Sequence, residues 1–127
     1  MNLKIKKLSI KSDFRGWLSE IIRPQDIKKV QFGQLILTVS YPGEVRANHY
    51  HKRKTELYCV IKGKAILTII NNVTRENEDI LMEENKLALV EIPPNHFHSI
   101  ENIGKEEMML LVYVDESFNP MDADTYS

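Results

Sequence analysis

Residues 43–63 read G-E-V-R-A-N-H-Y-H-K-R-K-T-E-L-Y-C-V-I-K-G, and this stretch is the most informative part of the chain about fold and function. His49 and His51 are separated by one residue, so in an extended strand their side chains project from the same face. Glu56 follows three successive cations and a threonine and opens the apolar run L-Y-C-V-I, which predicts that it begins the next strand. A hairpin between the two strands would place its carboxylate beside both imidazoles.

A second segment, residues 91–102, reads E-I-P-P-N-H-F-H-S-I-E-N and supplies a third imidazole. Its proline pair and asparagine predict a turn, which His98 follows. Three imidazole nitrogens and one carboxylate oxygen suit zinc, iron, manganese, cobalt or nickel, and the residues do not select among these metals. We expect His96, in the same segment, to be a surface or hydrogen-bonded residue. We predict that one divalent metal ion is bound by His49, His51, Glu56 and His98.

The composition is that of one folded domain over residues 1–127. Apolar residues make up 43% and charged residues 28%, near the average for globular chains. The net charge of -1 gives no electrostatic reason to expect binding to nucleic acid or to a membrane surface. No stretch approaches about 18 apolar residues and no signal-peptide pattern opens the chain, so we expect a cytoplasmic protein. Cys59, the sole cysteine, allows no internal disulfide and is expected in the core.

Most of the chain reads as short strands separated by turn residues, which predicts an antiparallel β-sandwich or β-barrel. Weaker strand candidates cover residues 3–10, 17–22 and 79–82. A window over residues 75–85 is compatible with a helix but has few apolar residues for a buried face. The acidic tail from Asp115 is expected to lie over the surface as an arm. The five clearest strands cover residues 34–41, 57–61, 65–70, 87–92 and 108–115.

The first stretch fits the pattern G-x5-H-x-H-x3,4-E-x6-G, and on this motif the chain resembles the cupin superfamily. The second motif of that superfamily, G-x5-P-x-G-x2-H-x3-N, fits at Pro93, His98 and Asn102. It departs at Leu87 and Asn95, where glycines are usual; Asn tolerates a left-handed turn. The resemblance implies an all-β jelly-roll β-barrel of the dTDP-sugar epimerase-like type, with the metal inside the barrel.

A narrower resemblance covers nearly the whole chain. Residues 12–20 (S-D-F-R-G-W-L-S-E), residues 32–56 and the closing D-E-S-F-N-P-M-D-A-D-T-Y resemble the C-terminal cupin domain of capsular polysaccharide assembling proteins. More distantly, they are similar to dTDP-4-dehydrorhamnose 3,5-epimerases and related ketoisomerases. The resemblance implies a metal-dependent epimerase or isomerase, with zinc as its metal. The implied substrate is a nucleotide-linked 4-keto-6-deoxy sugar used in surface polysaccharide biosynthesis, and the implied assembly is a homodimer.

The same resemblance implies substrate-binding residues. Arg15 and Glu20 match a segment that contacts the nucleotide, and Arg46 matches an arginine that holds the diphosphate. A guanidinium fork suits that anion. The glycine usual after this arginine is Ala47, which we expect to narrow the pocket. The rhamnose epimerases have Gln and Lys where this chain has His51 and Glu56, so their metal-free mechanism does not carry over.

Epimerisation beside a ketone requires an acid and a base as well as charge stabilisation. Tyr58 shares the strand phase of Glu56 and is expected to face the interior. Lys54 lies in the K-T-E segment that the resemblance covers. Lys54, Tyr58 and His96 are the candidate proton-transfer residues, and the sequence does not choose among them.

Two other classes of function use the same metal ligands. One is an Fe(II) oxygenase, which would bind dioxygen at the open metal positions and would fail without it. The other is a non-catalytic sugar-binding module with a structural metal. Arg15, Glu20 and Arg46 favour a nucleotide sugar over both, because an oxygenase of a small acid or thiol needs no diphosphate clamp.

Overall fold

The computed structural model describes residues 1–29 and 31–127. Within these residues the chain forms short antiparallel strands and a 3-10 turn at Pro24–Asp26. The strands are β1 (Ile5–Lys7), β2 (Lys11–Asp13), β3 (Gly16–Leu18), β4 (Gln34–Ser40), β5 (Val45–His49), β6 (Glu56–Lys62), β7 (Lys64–Asn71), β8 (Asn77–Glu83), β9 (Ala88–Ile92), β10 (His96–Asn102) and β11 (Met108–Val114).

Two sheets form the body of the fold. One has five strands in the order β1-β9-β6-β11-β4, and the other has four in the order β5-β10-β7-β8. Buried residues of both sheets share one core, including Val60 and Val112 from the first and Leu67 and Ile100 from the second. This arrangement confirms the predicted all-β jelly-roll barrel. Strands β2 and β3 pair only with each other, as a separate hairpin.

Strand β7 shows why these sequences fold this way. Ala65, Leu67 and Ile69 alternate with more polar or exposed positions, and all three are 0% exposed. Each fully buried Leu or Ile side chain stabilises the fold by about 1.5–3 kcal/mol, so a period of two fixes which face points inward. Gly63 ends the first motif at φ 86, in the turn that leads into β7, where a side chain would be strained.

A second apolar layer covers the outer face of the five-stranded sheet. Leu57, Cys59, Leu89 and Tyr113 lie under residues of the segment before β4. Cys59 is 1% exposed, as predicted for a core residue, and burial raises the pKa of its thiol to about 11. Strand β6 is therefore buried on both faces, which explains its continuous apolar run. Its first residue, Glu56, is the only carboxylate in this strand.

The five clearest strand predictions are confirmed within two residues at each end. Two of the weaker candidates are only partly strands: residues 3–10 contain just β1, and residues 17–22 contain only the end of β3. The third, residues 79–82, is confirmed because it lies wholly within β8. The helix-compatible window at residues 75–85 is mostly β8, because that stretch pairs along its whole length with β7. Among the described residues, no helix has the length and apolarity needed to cross a membrane.

Candidate metal centre

Four side chains converge between the two sheets. His49 ends β5, His98 lies within β10, Glu56 begins β6, and His51 follows β5 by two residues. One potential ligand atom from each lies within 4.8 Å of the others. His51, Glu56 and His98 are buried, and His49 is half-buried. The structure therefore brings together all four of the residues predicted to bind metal.

The route between the histidines and the glutamate differs from the expected hairpin. Strand β5 pairs with β10 in the four-stranded sheet, whereas β6 pairs with β9 and β11 in the five-stranded sheet. The segment after His49 thus crosses from one sheet to the other, and the hairpin prediction is wrong. The carboxylate still meets the imidazoles because both strands face the shared interior.

A β-bulge directs His49 inward. His98 pairs with His49, but Ser99 pairs with Ala47, so Asn48 is an extra residue on β5. Ala47 and Asn48 have φ values of 67 and 62, in the left-handed region. Glycine adopts this region without strain, which gives a backbone reason for the glycine that is usual at position 47. The expectation that Ala47 narrows the pocket stays a prediction.

Backbone carbonyls orient two of the imidazoles. The His51 Nδ1–H donates to the Asp124 carbonyl at 2.7 Å, and the His98 Nδ1–H donates to the His96 carbonyl at 3.0 Å. A neutral imidazole that carries its proton on Nδ1 presents an unprotonated Nε2. When neutral, both rings aim an Nε2 lone pair into the cluster, which is the form that binds a metal ion. Without a metal ion, His51 Nε2 lies 3.0 Å from Glu56 Oε1 in a hydrogen bond that requires a second ring proton.

The inward nitrogens lack ordinary partners. The Nε2 atoms of His49 and His98 are buried without a hydrogen bond among the described residues. His98 Nε2 is 2.9 Å from Glu56 Oε1, but its ring is not oriented to donate to that oxygen. Buried polar atoms are normally partnered. These orphaned nitrogens and the mixed nitrogen and oxygen donor set fit a divalent metal ion of the zinc type.

The electrostatics of the metal-free cluster are strongly perturbed. Burial, with the neighbouring His98 and His51, lowers the pKa of His49 to about 4. Burial alone would raise the pKa of Glu56, but the His51 and His98 imidazoles lower it to about 2. Burial likewise opposes protonation of His51, yet its bond to Glu56 and the Glu56 charge raise the pKa of His51 above its ordinary value. Glu56 is thus an anion at neutral pH, ready for a cation.

The residues predicted to bind substrate are not gathered at this cluster. Arg15 is on the β2–β3 hairpin, where it pairs with Asp13 at 2.6 Å. Glu20 pairs with Arg23 and lies 3.8 Å from Lys11. The polar contacts of Arg15 and Glu20 are therefore with residues 11–23 of the N-terminal segment.

Arg46 is closer in the fold, on the same strand as His49. Its Nη2 donates to the Val39 carbonyl at 2.9 Å, and its Nε contacts Ser40 Oγ at 3.0 Å. The guanidinium thus ties β5 to the edge strand β4. A diphosphate at this position would share Arg46 with, or take it from, these partners.

The proton-transfer candidates occupy different surroundings. Tyr58 is 3% exposed, and its ring packs edge-on against His98 with centroids 5.7 Å apart. Burial, aided by the Glu56 charge, raises the pKa of Tyr58 well above its usual value. Lys54 is buried rather than solvated, and its Nζ donates to the Ala123 carbonyl at 3.1 Å, on the side of the C-terminal tail.

His96 begins β10, two residues before His98. Because β10 pairs regularly with β7, the two histidines lie on the same face of the strand. The His96 Nδ1–H donates to the Pro94 carbonyl at 2.9 Å, so its Nε2 carries a lone pair. Its predicted hydrogen bond is confirmed, and a role in proton transfer stays a prediction.

Sequence reasoning missed Asp124. This residue is 4% exposed, and its carbonyl is the partner of His51. Its carboxylate accepts hydrogen bonds from the backbone N–H groups of Lys52, Arg53 and Lys54. The sequence predicts that the acidic tail lies over the surface as an arm, whereas Asp124 within it is buried. The available signal was the resemblance across the closing D-A-D-T-Y, which indicated that the tail was more than a solvated end.

Comparisons with known proteins agree with this architecture. Residues 11–126 match the polysaccharide biosynthesis C-terminal domain family. The chain is 34% identical over 116 residues to a UDP-2-acetamido-2,6-beta-L-arabino-hexul-4-ose reductase of Pseudomonas aeruginosa, covering 91% of this chain and 30% of that protein. It is 33% identical to the capsular polysaccharide assembling protein CapF of Staphylococcus aureus, with a TM-score of 0.72, covering 94% of this chain and 33% of CapF. The chain thus spans about a third of both relatives.

A third comparison concerns the fold alone. ChmJ, a 3'-monoepimerase from Streptomyces bikiniensis whose structure was solved in complex with dTDP-quinovose, superposes with a TM-score of 0.87. Its sequence is 17% identical, and the match covers 98% of this chain and 68% of ChmJ. The jelly-roll barrel is therefore shared with solved sugar epimerases.

Proposed function

The chain belongs to the polysaccharide biosynthesis C-terminal domain family, and we propose that it is a metal-dependent epimerase or isomerase of a nucleotide-linked 4-keto-6-deoxy sugar. The observation that carries this proposal is the cluster of His49, His51, Glu56 and His98 with its orphaned inward nitrogens. The names of the relatives support the substrate class, because one is a reductase of a UDP-linked hexulose and another assembles capsular polysaccharide.

The difficult step in such a reaction is removal of a proton from the carbon beside a ketone. A divalent metal ion held by the four side chains would supply a Lewis acid that stabilises the negative charge forming on the ketone oxygen. Zinc is the metal we propose, since three imidazoles and one carboxylate are ligands that it accepts in proteins. Low exposure of the cluster would strengthen every charge interaction there.

The proton-transfer roles are assigned from position and hydrogen bonding. Tyr58 packs edge-on against His98 inside the barrel and carries a hydroxyl proton at neutral pH, so we assign it as the proton donor. His96 lies on the His98 face of β10 with its Nδ1 bonded to the Pro94 carbonyl, which leaves Nε2 for substrate, so we assign it as the proton acceptor. Lys54 holds the tail through Ala123, and we assign it to substrate positioning or support rather than to the chemical step.

The nucleotide end of the substrate requires cations beyond the cluster. Arg46 is on β5 near the cluster and is the proposed diphosphate ligand. Arg15 lies on the β2–β3 hairpin and Glu20 two residues after it, so both would reach the nucleotide in a homodimer that brings this segment of one copy to the site of another. Phe14 and Trp17, which are 98% and 59% exposed on that hairpin, are available for such a contact. Light scattering of the purified protein would test the dimer.

Deuterium exchange tests the proposed reaction. The purified protein is incubated without oxygen, with zinc or manganese, in D₂O with UDP- and dTDP-linked 4-keto-6-deoxy sugars. NMR then follows deuterium entering C3 or C5. We expect exchange with at least one substrate and none in a chelator-treated sample or in His51→Ala. If none of the substrates shows deuterium exchange, the proposal is refuted. Activity that requires oxygen would favour the oxygenase.

A further inference from the structure

We propose that Asp124 is a positioning residue for the metal centre, and that the C-terminal tail is thereby a structural part of that centre. The inference rests on the proposed metal site. Asp124 is 73 residues from His51 in sequence, yet the two are in direct contact. Among the described residues, Asp124 binds every residue from His51 to Lys54, which is the segment that crosses between the sheets.

The carboxylate of Asp124 forms the first half of this contact. One oxygen accepts from the backbone N–H of Lys52 at 3.0 Å, and the other accepts from those of Arg53 at 3.0 Å and Lys54 at 3.1 Å. Successive backbone N–H groups of this kind make a concave binding place for an anion. Loss of the carboxylate would leave three donors in a largely buried setting without their partner, which is costly.

The backbone of Asp124 forms the second half. Its φ of 50 lies in the left-handed region, which is uncommon for a residue with a side chain. This conformation accompanies a geometry in which the carbonyl faces His51 Nδ1 at 2.7 Å while the carboxylate faces the following loop. One residue thus fixes both the proton on His51 and the path of the three residues after it.

Contacts of the residues on each side of Asp124 hold it in place. Tyr126 exchanges two backbone hydrogen bonds with Tyr50, at 2.8 and 2.9 Å, and the two rings stack with centroids 5.4 Å apart. On the other side, the Lys54 ammonium donates to the Ala123 carbonyl at 3.1 Å. The tail is therefore attached at the residue before His51 and at the end of the crossing loop, with Asp124 between the two attachments.

The metal ligand most affected is His51. With its Nδ1–H held by Asp124, the ring presents Nε2 toward Glu56. Without that carbonyl, the ring is free to take the other tautomer or to turn, and its Nε2 lone pair is then no longer held in the cluster. Residues that orient a ligating histidine typically change metal affinity by about 10–100-fold when substituted.

The test uses Co²⁺ and Zn²⁺ affinities of the full chain and three variants. Asp124→Asn removes the carboxylate that holds the N–H groups of Lys52, Arg53 and Lys54, and a deletion of residues 123–127 also removes the carbonyl that accepts from His51. Asp122→Asn is the matched control, because Asp122 is an exposed carboxylate of the same tail that pairs with Arg53 at 3.2 Å. We expect about 10–100-fold weaker binding for Asp124→Asn and the deletion, and unchanged binding for Asp122→Asn. Equal affinity in a folded Asp124→Asn would overturn the inference.

Two readouts do not depend on the variants being well folded or active. In the metal-free wild type, ¹⁵N NMR should show His51 protonated on Nδ1, and a proton on Nε2 alone would overturn the inference. Since coupling is reciprocal, metal should slow amide exchange at Lys52, Arg53 and Lys54 in the wild type. Unchanged exchange with bound metal would also overturn it. If the wild type binds no metal at all, the proposed function loses its metal centre, while the NMR experiment still reports on Asp124.

Discussion

His98 Nε2 lies 2.9 Å from Glu56 Oε1, although His98 belongs to the four-stranded sheet and Glu56 to the five-stranded sheet. A metal ion bound by both would link the two sheets through the interior of the barrel. The proposed metal ion would therefore also hold the two sheets together.

Metal should consequently stabilise the protein against unfolding. At a free metal concentration about a hundredfold above the dissociation constant, the gain is about 2.7 kcal/mol if the unfolded chain does not bind. Denaturant titrations with zinc and with a chelator measure this difference. Glu56→Gln is the control and should gain much less from zinc. Equal stability of the wild type with and without metal would contradict the prediction.

Replacing Ala47 with glycine should stabilise the folded protein. An alanine at φ 67 is strained by roughly 1–2 kcal/mol, whereas glycine adopts this region freely. Part of the gain is lost because glycine makes the unfolded chain more flexible. We expect Ala47→Gly to raise the free energy of unfolding by about 0.5–1 kcal/mol.

Ala65→Gly provides the comparison, because Ala65 is fully buried in the interior of β7 at negative φ. That substitution should lower the free energy of unfolding. A loss in Ala47→Gly as large as that in Ala65→Gly would show that the bulge is not strained.

The metal-free protein should lose stability as the pH falls from about 6.5 to about 4.5. His49 has its pKa lowered from 6.5 to about 4, so the unfolded chain takes up a proton there before the folded chain does. The raised pKa of His51 affects stability in a different pH range. The stabilisation that His51 contributes is fully present below pH 6.5 and is lost as the pH rises through its pKa in the folded protein. The lowered pKa of Glu56 acts below pH 4.5, where its stabilisation is lost toward pH 2.

Chemical denaturation with a chelator present, repeated across this pH range, measures the slope. The slope of the free energy of unfolding against pH should correspond to about one proton taken up on unfolding. His49→Gln should flatten this slope between pH 4.5 and 6.5. A slope that persists unchanged in that variant would rule out His49 as its source.

Tyr58→Phe should separate metal binding from chemistry. Removal of a proton donor costs about 10²–10⁴-fold in turnover, while the ring that packs on His98 is retained. We therefore expect normal metal content and a much lower rate of deuterium exchange. Tyr113→Phe is a matched control, since Tyr113 is buried in the other apolar layer, where its hydroxyl accepts the Gly33 N–H. Full exchange activity in Tyr58→Phe would remove Tyr58 from the acid role.

Much of the fold could be predicted because its strands have local sequence patterns. Alternation in β7 and the continuous apolar run of β6 each follow from burial on one face or on both. The motif spacing likewise predicted which four side chains meet, because ligand type and strand phase are local properties. What it could not reveal was the pairing partner of β5, which depends on β10, about fifty residues further along the chain.

The contacts that the sequence did not reveal depend on how segments pack in the folded chain, and those of the C-terminal tail join residues far apart in sequence. Asp124 reaches His51 across 73 residues, and nothing in a short window indicates that pairing. The diphosphate-binding role of Arg46 stays a prediction; the sequence did not reveal that its guanidinium contacts Val39 and Ser40 of β4. Lys54 lies among three successive cations, a pattern typical of an exposed loop, yet it is buried and its Nζ donates to Ala123 of the tail.

The most direct measurement is the metal content of the purified protein, of four single variants at the proposed ligands and of one control variant. Elemental analysis should find one divalent metal ion per chain in the wild type. His49→Ala, His51→Ala, Glu56→Ala and His98→Ala should each lose most of it while keeping the β-sheet circular dichroism spectrum. His96→Ala, which alters a neighbouring histidine outside the cluster, should retain it. A wild type that binds no metal after loading, or a folded His51→Ala that keeps its full metal content, would contradict the proposed centre.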